Sequence, residues 1–222
     1  GGSASGLAAV LQRGTIAVDM SSADPAGTRA LGQALQPFGV TLVDAPVSGA
    51  VPRATDGTLT IMIGCDDAEA AARVKPVLLA MGNRLFDTGA LGTGHAMKAL
   101  NNFVAAAGYS AAAEALLAGK RFGLDNARMI EVMNVSTGRN FNTEVVMREH
   151  VVEGRFASGF ALELLAKDVH IAADLMRTVD LDAPLAQLID QRYQMALARL
   201  GKGRDNTEAI LAWNNDNKSS NV

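Results

Sequence analysis

The sequence predicts an α/β domain followed by an all-α domain built around one long helix, and three observations carry that prediction. Up to about residue 88, short apolar runs alternate with helical stretches. Beyond it, every periodic stretch is helical. Residues 95–122 run without proline and are rich in alanine and leucine, the composition of a single long helix. The switch falls in the glycine-rich segment 89–94, so the expected domains are residues 1–94 and 95–222. With 222 residues, 49% of them hydrophobic, the chain can bury a substantial core.

Residues 15–20 (Thr-Ile-Ala-Val-Asp-Met) are an apolar run after Gly14 and are expected to form a buried strand. Asp24 then caps a helix with Pro25 at its first position and Gly39 at its end. Residues 40–47 and 58–63 are expected strands, 67–81 a helix stopped by Gly82, and 84–88 a fourth strand. Such alternation implies a largely parallel sheet, whose ligands bind beyond the carboxyl ends of the strands. Ser21, Ser22 and the turn 47–50 lie at such ends. The long helix is the centre of the chain. Between His95 and Lys120 its formal charges are Lys98 and Glu114, which predicts burial on nearly every face. Further helices are expected at 126–135, 142–152, 162–179, 184–200 and 207–213, punctuated by Gly123, Gly138, Gly154 and Gly201. The polar tail 214–222 is expected to fray.

Composition excludes several classes of function. A net charge of −3 and a pI near 5.6 argue against a general nucleic-acid or anionic-membrane surface. The Ala-rich helix comes closest to a membrane span, but Gly108, Ser110 and Glu114 interrupt it. Cys65 is the single cysteine, which excludes an internal disulfide framework and fits a reducing, cytoplasmic compartment. No signal peptide is visible.

The candidate chemistry starts at Lys98, in the first turns of the long helix. Asn102 lies one turn later on the same face, and Tyr109 falls near that face again. Taken alone, a lysine at a helix start is ordinarily a snorkelling side chain. Buried, its pKa would fall toward neutrality and suit it to proton transfer. The turn Val47-Ser48-Gly49-Ala50 can aim one hydroxyl and several backbone N–H groups at a common point, a workable carboxylate cradle. An ordinary connection that needs glycine for its backbone angles would read the same way. Gly89-x-x-Gly92-x-Gly94 reverses the dinucleotide spacing and sits late in the sheet, so it reads as a hinge into the long helix. Glu163, Lys167, His170, Asp174 and Arg177 share one helix face, opposite Leu162, Leu165, Val169, Ala172, Ala173 and Met176. That face is either simply solvated, or it carries Lys167 and His170 over a cleft, with Lys167 near Lys98 depressing both ammonium pKa values. His95 and His150 have no partners at metal-ligand spacing, so no metal site is expected. No Gly-x-Ser-x-Gly elbow supports a serine hydrolase.

Four ordered motifs resemble those of the β-hydroxyacid dehydrogenases: Asp44-Ala-Pro-Val-Ser-Gly, Asp56-Gly-Thr-Leu-Thr-Ile-Met-Ile-Gly64, Gly92-Thr-Gly-His-Ala-Met-Lys-Ala-Leu-Asn-Asn102 and Lys167-Asp168. The resemblance is nearest to the 3-hydroxyisobutyrate dehydrogenase and tartronate semialdehyde reductase branches, with 6-phosphogluconate dehydrogenase more distant. It covers nearly the whole chain. It implies a Rossmann-like cofactor domain, incomplete at its N-terminus, followed by an all-α domain around a long interdomain helix. By the same resemblance, Lys98 matches the catalytic lysine that exchanges the hydroxyl proton, and Asn102 the amide that holds the substrate oxygen. Ser48 and Gly49, with Ala50, match the turn that grips the substrate carboxylate. Ser22 matches the position facing the nicotinamide, and Lys167 the second lysine near cofactor and active site. The implied cofactor is NAD or NADP, the implied substrate a small carboxylate, and the implied assembly a homodimer or homotetramer. Apolar helices in a small α domain point to self-association as well.

The departures from the family are specific. Its Gly-x-Gly-x-x-Gly turn on the first strand and its specificity residue after the second strand have no counterpart here. The chain is therefore expected to be part of a longer protein, since a genuine fragment would leave an apolar sheet edge unpaired. The choice between NAD and NADP stays open. Ala50 stands where many members have a second glycine. Two alternatives belong beside the dehydrogenase: a catalytically silent relative acting as an oligomeric scaffold, and an imine-reducing relative, a class that lacks the lysine found here at 98.

Overall fold

Short apolar runs and their caps account for the first half of the chain. In the computed structural model, which describes residue 6 and residues 10–214, β1 (Ile16–Asp19) leads into α1 (Pro25–Leu35). Asp24 caps that helix, its carboxylate accepting from Ala26 N (3.2 Å) and Gly27 N (2.8 Å). A 3-10 turn, Gln36–Phe38, follows, and Gly39 at φ 67° reverses the chain. Then come β2 (Thr41–Asp44), β3 (Val47–Ser48), α2 (Ala50–Thr55), β4 (Thr60–Gly64), α3 (Ala68–Leu78) and β5 (Arg84–Gly89). Beyond them α4 (Thr93–Phe122) runs for 30 residues, about 45 Å at the α-helical rise. The second half adds α5 (Asn126–Asn134), a π-wound helix (Asn142–Val152), α6 (Leu162–Thr178), α7 (Pro184–Leu200), a 3-10 turn (Asn206–Glu208) and α8 (Ala209–Trp213). The tail expected to fray lies, from residue 215 onward, outside the described residues. Contacts divide the chain into two compact units, Gly1–Leu100 and Asn101–Val222.

The sheet of the first unit is mixed, a correction to the largely parallel one expected. β1 pairs with β2 and β4 with β5 in parallel, whereas β4 runs antiparallel to β2 and β3. The physical reason is the link from Ser48 to Thr60, which contains only the six-residue α2 and is shorter than a parallel crossover needs. That helix is itself a departure, since the sequence suggested a loop there. β2 and β3 act as one strand. Asp44 faces Gly64, Val47 faces Ile61 and Ser48 faces Thr60, with no change of register. The ladder is interrupted only around Pro46, which has no N–H to donate but accepts from Met62 N at 3.1 Å. Val43, Ile61, Ile63, Val74 and Leu78 form the apolar core behind this strand pair.

In the second unit, Tyr109, Leu116, Ile130, Met147, Leu162, Val169 and Tyr193 are buried together. Trp213 packs edge-on against Tyr193 at 5.4 Å between ring centroids. Tyr109 belongs to this core, where its hydroxyl donates to Thr207 O at 2.6 Å. Asp205 clasps two loops, its carboxylate accepting from Ser158 Oγ, Gly159 N and Thr207 N. Burial alone would raise that carboxyl, but the hydrogen bonds outweigh it and hold the group below the ordinary carboxylate value.

The long helix is not buried on nearly every face. Met97 and Val104 are 44% and 67% exposed, and Ala111 and Ala118 continue the same stripe at seven-residue intervals. Alanine suits an exposed helix position as well as a buried one, so a lack of charge did not imply cover.

Candidate functional site

The start of α4 is clamped to the sheet by a residue that the sequence analysis did not single out. Asp44, fully buried at the end of β2, accepts from Gly92 N (2.7 Å) and His95 N (2.8 Å). A carboxylate here satisfies two of the N–H groups that a helix start leaves unpaired and favours the positive end of the helix dipole. The glycines make the approach possible: a Cβ on Gly94 would lie 2.5 Å from Met62 O and 2.8 Å from Asp44 Oδ2. The protein's own carboxylate therefore takes the N–H groups of Gly92 and His95 that an anion at this turn would use. His95 is buried beside it, with Nδ1 2.7 Å from Thr28 Oγ1 and 4.0 Å from Asp44 Oδ2.

Lys98 follows one turn beyond His95 and is 9% exposed. The sheet register places the two serines at the same end of the sheet. Asp19 sits opposite Asp44 in the parallel β1–β2 pair, so Ser22, three residues on, and Ser48, four residues on, leave together. Ser22 and Ser48 thus follow the paired Asp19 and Asp44 by three and four residues, and Lys98 follows by three residues the His95 N–H that donates to Asp44. Ser22, Ser48 and Gly49 are half-buried, while Ala50 is exposed. Gly49 has φ 142° and Ala50 φ 53°, both outside what L side chains favour. Ala50→Gly is accordingly expected to stabilise the chain by about 1 kcal/mol by removing left-handed strain, measured as a rise in the thermal midpoint. An unchanged or lower midpoint would mean that the turn carries no such strain.

In the second unit Asn102, 7% exposed, donates from Nδ2 to Asp168 Oδ2 at 2.6 Å. Asn101 Nδ2 in turn donates to Asn102 Oδ1 at 3.2 Å. Asp168 is 2% exposed on α6, and sequence reasoning passed over its role. The signal was present: Asp168 falls between Leu165 and Ala172 on the apolar face of that helix, where a carboxylate needs a partner. Lys167, its side chain 44% exposed, brings Nζ within 3.8 Å of Asp168 Oδ1. His170 Nδ1 lies 2.9 Å from Asp190 Oδ2 on α7, and Nε2 lies 3.5 Å from Asp174 Oδ2. For His170, a solvated face with carboxylates at hydrogen-bond distance replaces the cleft.

Among the described residues no three His, Cys, Asp or Glu side chains are grouped to hold a metal, and no helix is long and apolar enough to cross a membrane. A cavity of about 350 Å³ lined by Arg29, Gln33, Asp66 and Leu91 contains none of the predicted site residues. For a nicotinamide dinucleotide the fit is confined to one end. Ser22, half-buried beyond β1, lies at a strand end where such a ligand could meet the sheet, whereas the N–H of Gly92 in the Gly89–Gly94 turn is already taken by Asp44.

Two family models match the chain. Residues 2–90 match the family model described as the NAD binding domain of 6-phosphogluconate dehydrogenase, and residues 92–213 the one described as NAD-binding of NADP-dependent 3-hydroxyisobutyrate dehydrogenase. The chain is 34% identical over 206 residues to 2-(hydroxymethyl)glutarate dehydrogenase of Eubacterium barkeri, covering 93% of this chain and 68% of that protein. It is 33% identical over 202 residues to human mitochondrial 3-hydroxyisobutyrate dehydrogenase, covering 88% of this chain and 60% of that protein. The solved structure of Mycobacterium tuberculosis 3-hydroxyisobutyrate dehydrogenase with L-serine superposes with a TM-score of 0.83 at 29% identity, covering 93% of this chain and 72% of that one. Motif order, fold and these matches together make this chain a member of the β-hydroxyacid dehydrogenase family.

Proposed function

We propose that this chain serves an NAD(P)-dependent dehydrogenase that moves a hydride between nicotinamide and a small β-hydroxy acid or its semialdehyde, of the 3-hydroxyisobutyrate or tartronate semialdehyde type. The burial of Lys98, one turn from a helix start clamped at the base of the Ser22 and Ser48 strands, carries this reading. The relatives support it, being named for hydroxy-acid dehydrogenation.

When bound, NAD or NADP would supply the hydride acceptor for the carbinol carbon. Lys98 takes the hydroxyl proton as the carbonyl forms and returns it in the reverse direction. The Ser48 hydroxyl and the backbone N–H groups of Gly49 and Ala50 hold the substrate carboxylate. Asn102 holds the substrate oxygen. Asp168 takes one Nδ2 hydrogen of that amide and so fixes its orientation, a positioning role. Ser22 and Lys167 belong to the nicotinamide side. The domain boundary proposed with this reading lies at residues 94/95. Self-association as a homodimer or homotetramer belongs to the same proposal and is supported by Val179, Leu181, Leu185 and Leu188, each more than half exposed around the α6–α7 turn. The free thiol of Cys65 fits the cytoplasm.

The relatives are named for a dicarboxylic and a monocarboxylic hydroxy acid alike, so residues around the cradle must make that choice. The test of the reading is a titration with NADH and NADPH followed by nicotinamide fluorescence, paired with turnover of three- and four-carbon β-hydroxy acids. Saturable binding of one cofactor and turnover of at least one acid are expected. No binding and no turnover across the panel would favour the silent scaffold.

A further inference from the structure

We propose that Arg53 is a specificity residue that selects hydroxy acids bearing a second anionic group. The inference rests on the reading of Ser48-Gly49-Ala50 as the cradle for the first carboxylate. Arg53 lies on α2, four residues after Gly49, and its backbone is fixed on both sides. Its N–H donates to Gly49 O at 3.3 Å, and its carbonyl accepts from Thr58 N at 2.9 Å. The side chain is held against the turn as well. A Cβ on Gly49 would fall 2.6 Å from Arg53 Cβ and 2.7 Å from Arg53 Cδ. The aliphatic stem therefore lies across the Gly49 Cα as far as Cδ, so the guanidinium, which begins one bond further on, is within reach of the cradle. This contact also adds a reason for glycine at 49 beyond its backbone angle.

Arg53 is exposed, and among the described residues no ion pair engages it. Arg128, Arg148 and Arg155, by contrast, are each bonded to a glutamate. A planar guanidinium with two parallel N–H donors, within reach of a carboxylate cradle and unclaimed by the protein, suits a terminal carboxylate or phosphonate. A monocarboxylate substrate would leave it in water and neither gain nor lose by its presence. A substrate with a second oxyanion would gain a charge-assisted pair in addition to the cradle.

The test compares kcat and KM for hydroxy acids of matched length ending in methyl, carboxylate or phosphonate, in the wild type, Arg53→Gln, Arg53→Lys and Ser48→Ala. In the wild type, one doubly charged acid is expected to exceed the methyl analogue about tenfold or more in kcat/KM through KM, an increment typical of a hydrogen bond to a charged group. Which one does so identifies the second group. Arg53→Gln should raise KM for that acid about tenfold to a hundredfold and leave the methyl analogue unchanged, with Arg53→Lys intermediate because it keeps the charge and loses the fork. A wild-type preference for the methyl analogue, or an equal effect of Arg53→Gln on all three acids, overturns the role. If Ser48→Ala leaves every acid unaffected, the cradle fails and the inference with it. If Ser48→Ala weakens all three while Arg53→Gln weakens none, only Arg53 is wrong.

Discussion

Lys98→Ala is expected to lower kcat by about a hundredfold to ten-thousandfold, the range that a positioned general acid–base supplies, with a much smaller change in KM. The buried amine is proposed to exchange the hydroxyl proton, so its loss removes an interaction made mainly in the transition state. The fold should survive, because alanine is the best helix former and α4 is long and otherwise rich in it. Lys98→Arg should restore little activity, since a guanidinium stays protonated and cannot shuttle a proton at neutral pH. A small exogenous amine should partly restore turnover in Lys98→Ala. Steady-state kinetics with wild type and both variants measure this. Full activity in Lys98→Ala would remove the lysine from the mechanism.

Asp44→Ala should be the most damaging change to stability in the first unit, by about 3 kcal/mol. The carboxylate is fully buried and accepts two helix-start N–H groups at 2.7 and 2.8 Å. Alanine leaves both donors without a partner where water cannot easily replace it. Asp44→Asn should fall between, because one amide oxygen can accept while the amide nitrogen faces a donor. Asp24 gives the scale: it also caps a helix with two hydrogen bonds, but from an exposed position, and Asp24→Ala should cost only about 1 kcal/mol. Urea denaturation of the three variants orders them, and amide exchange at the first turn of α4 should accelerate most in Asp44→Ala, less in Asp44→Asn and not in Asp24→Ala. A loss equal to that of Asp24→Ala would show that the helix start is held by other means. The two predictions are linked, since a loosened helix start moves Lys98 and should lower kcat before the chain unfolds.

The elements were legible because their causes are local. Asp24 and Pro25 announce α1, Gly39 the end of the 3-10 turn that follows it, and the alternation of Leu162, Leu165, Val169 and Ala172 the buried face of α6. Pro184–Leu200 runs between the residues where a helix-start proline and a following glycine place its ends. Less legible were features that depend on partners far along the chain. The direction of β4 is one, because the apolar run 58–63 would read the same parallel or antiparallel. The helix α2 is another: Pro52 and the surrounding turn residues suggested a loop, and Ala50 enters it with a positive φ.

The site divides in the same way. Lys98, Asn102, Ser48 and Ser22 stand out in the sequence as residue types at a spacing that resembles a known family. Their supports do not. Asp44 reads as one polar residue in a strand, and only the folded chain brings Gly92 N and His95 N to it from 48 and 51 residues away. Asp168 looks like another charge on an amphipathic helix until Asn102, 66 residues earlier, meets it at 2.6 Å. By itself the sequence determined most of the helices and the two-part order, and singled out the residues proposed to react, because caps, periodicity and side-chain chemistry act within a few residues. Tertiary structure alone decided which carboxylates hold those groups, and laid the Arg53 stem across Gly49, because burial and long-range hydrogen bonds depend on where distant segments meet.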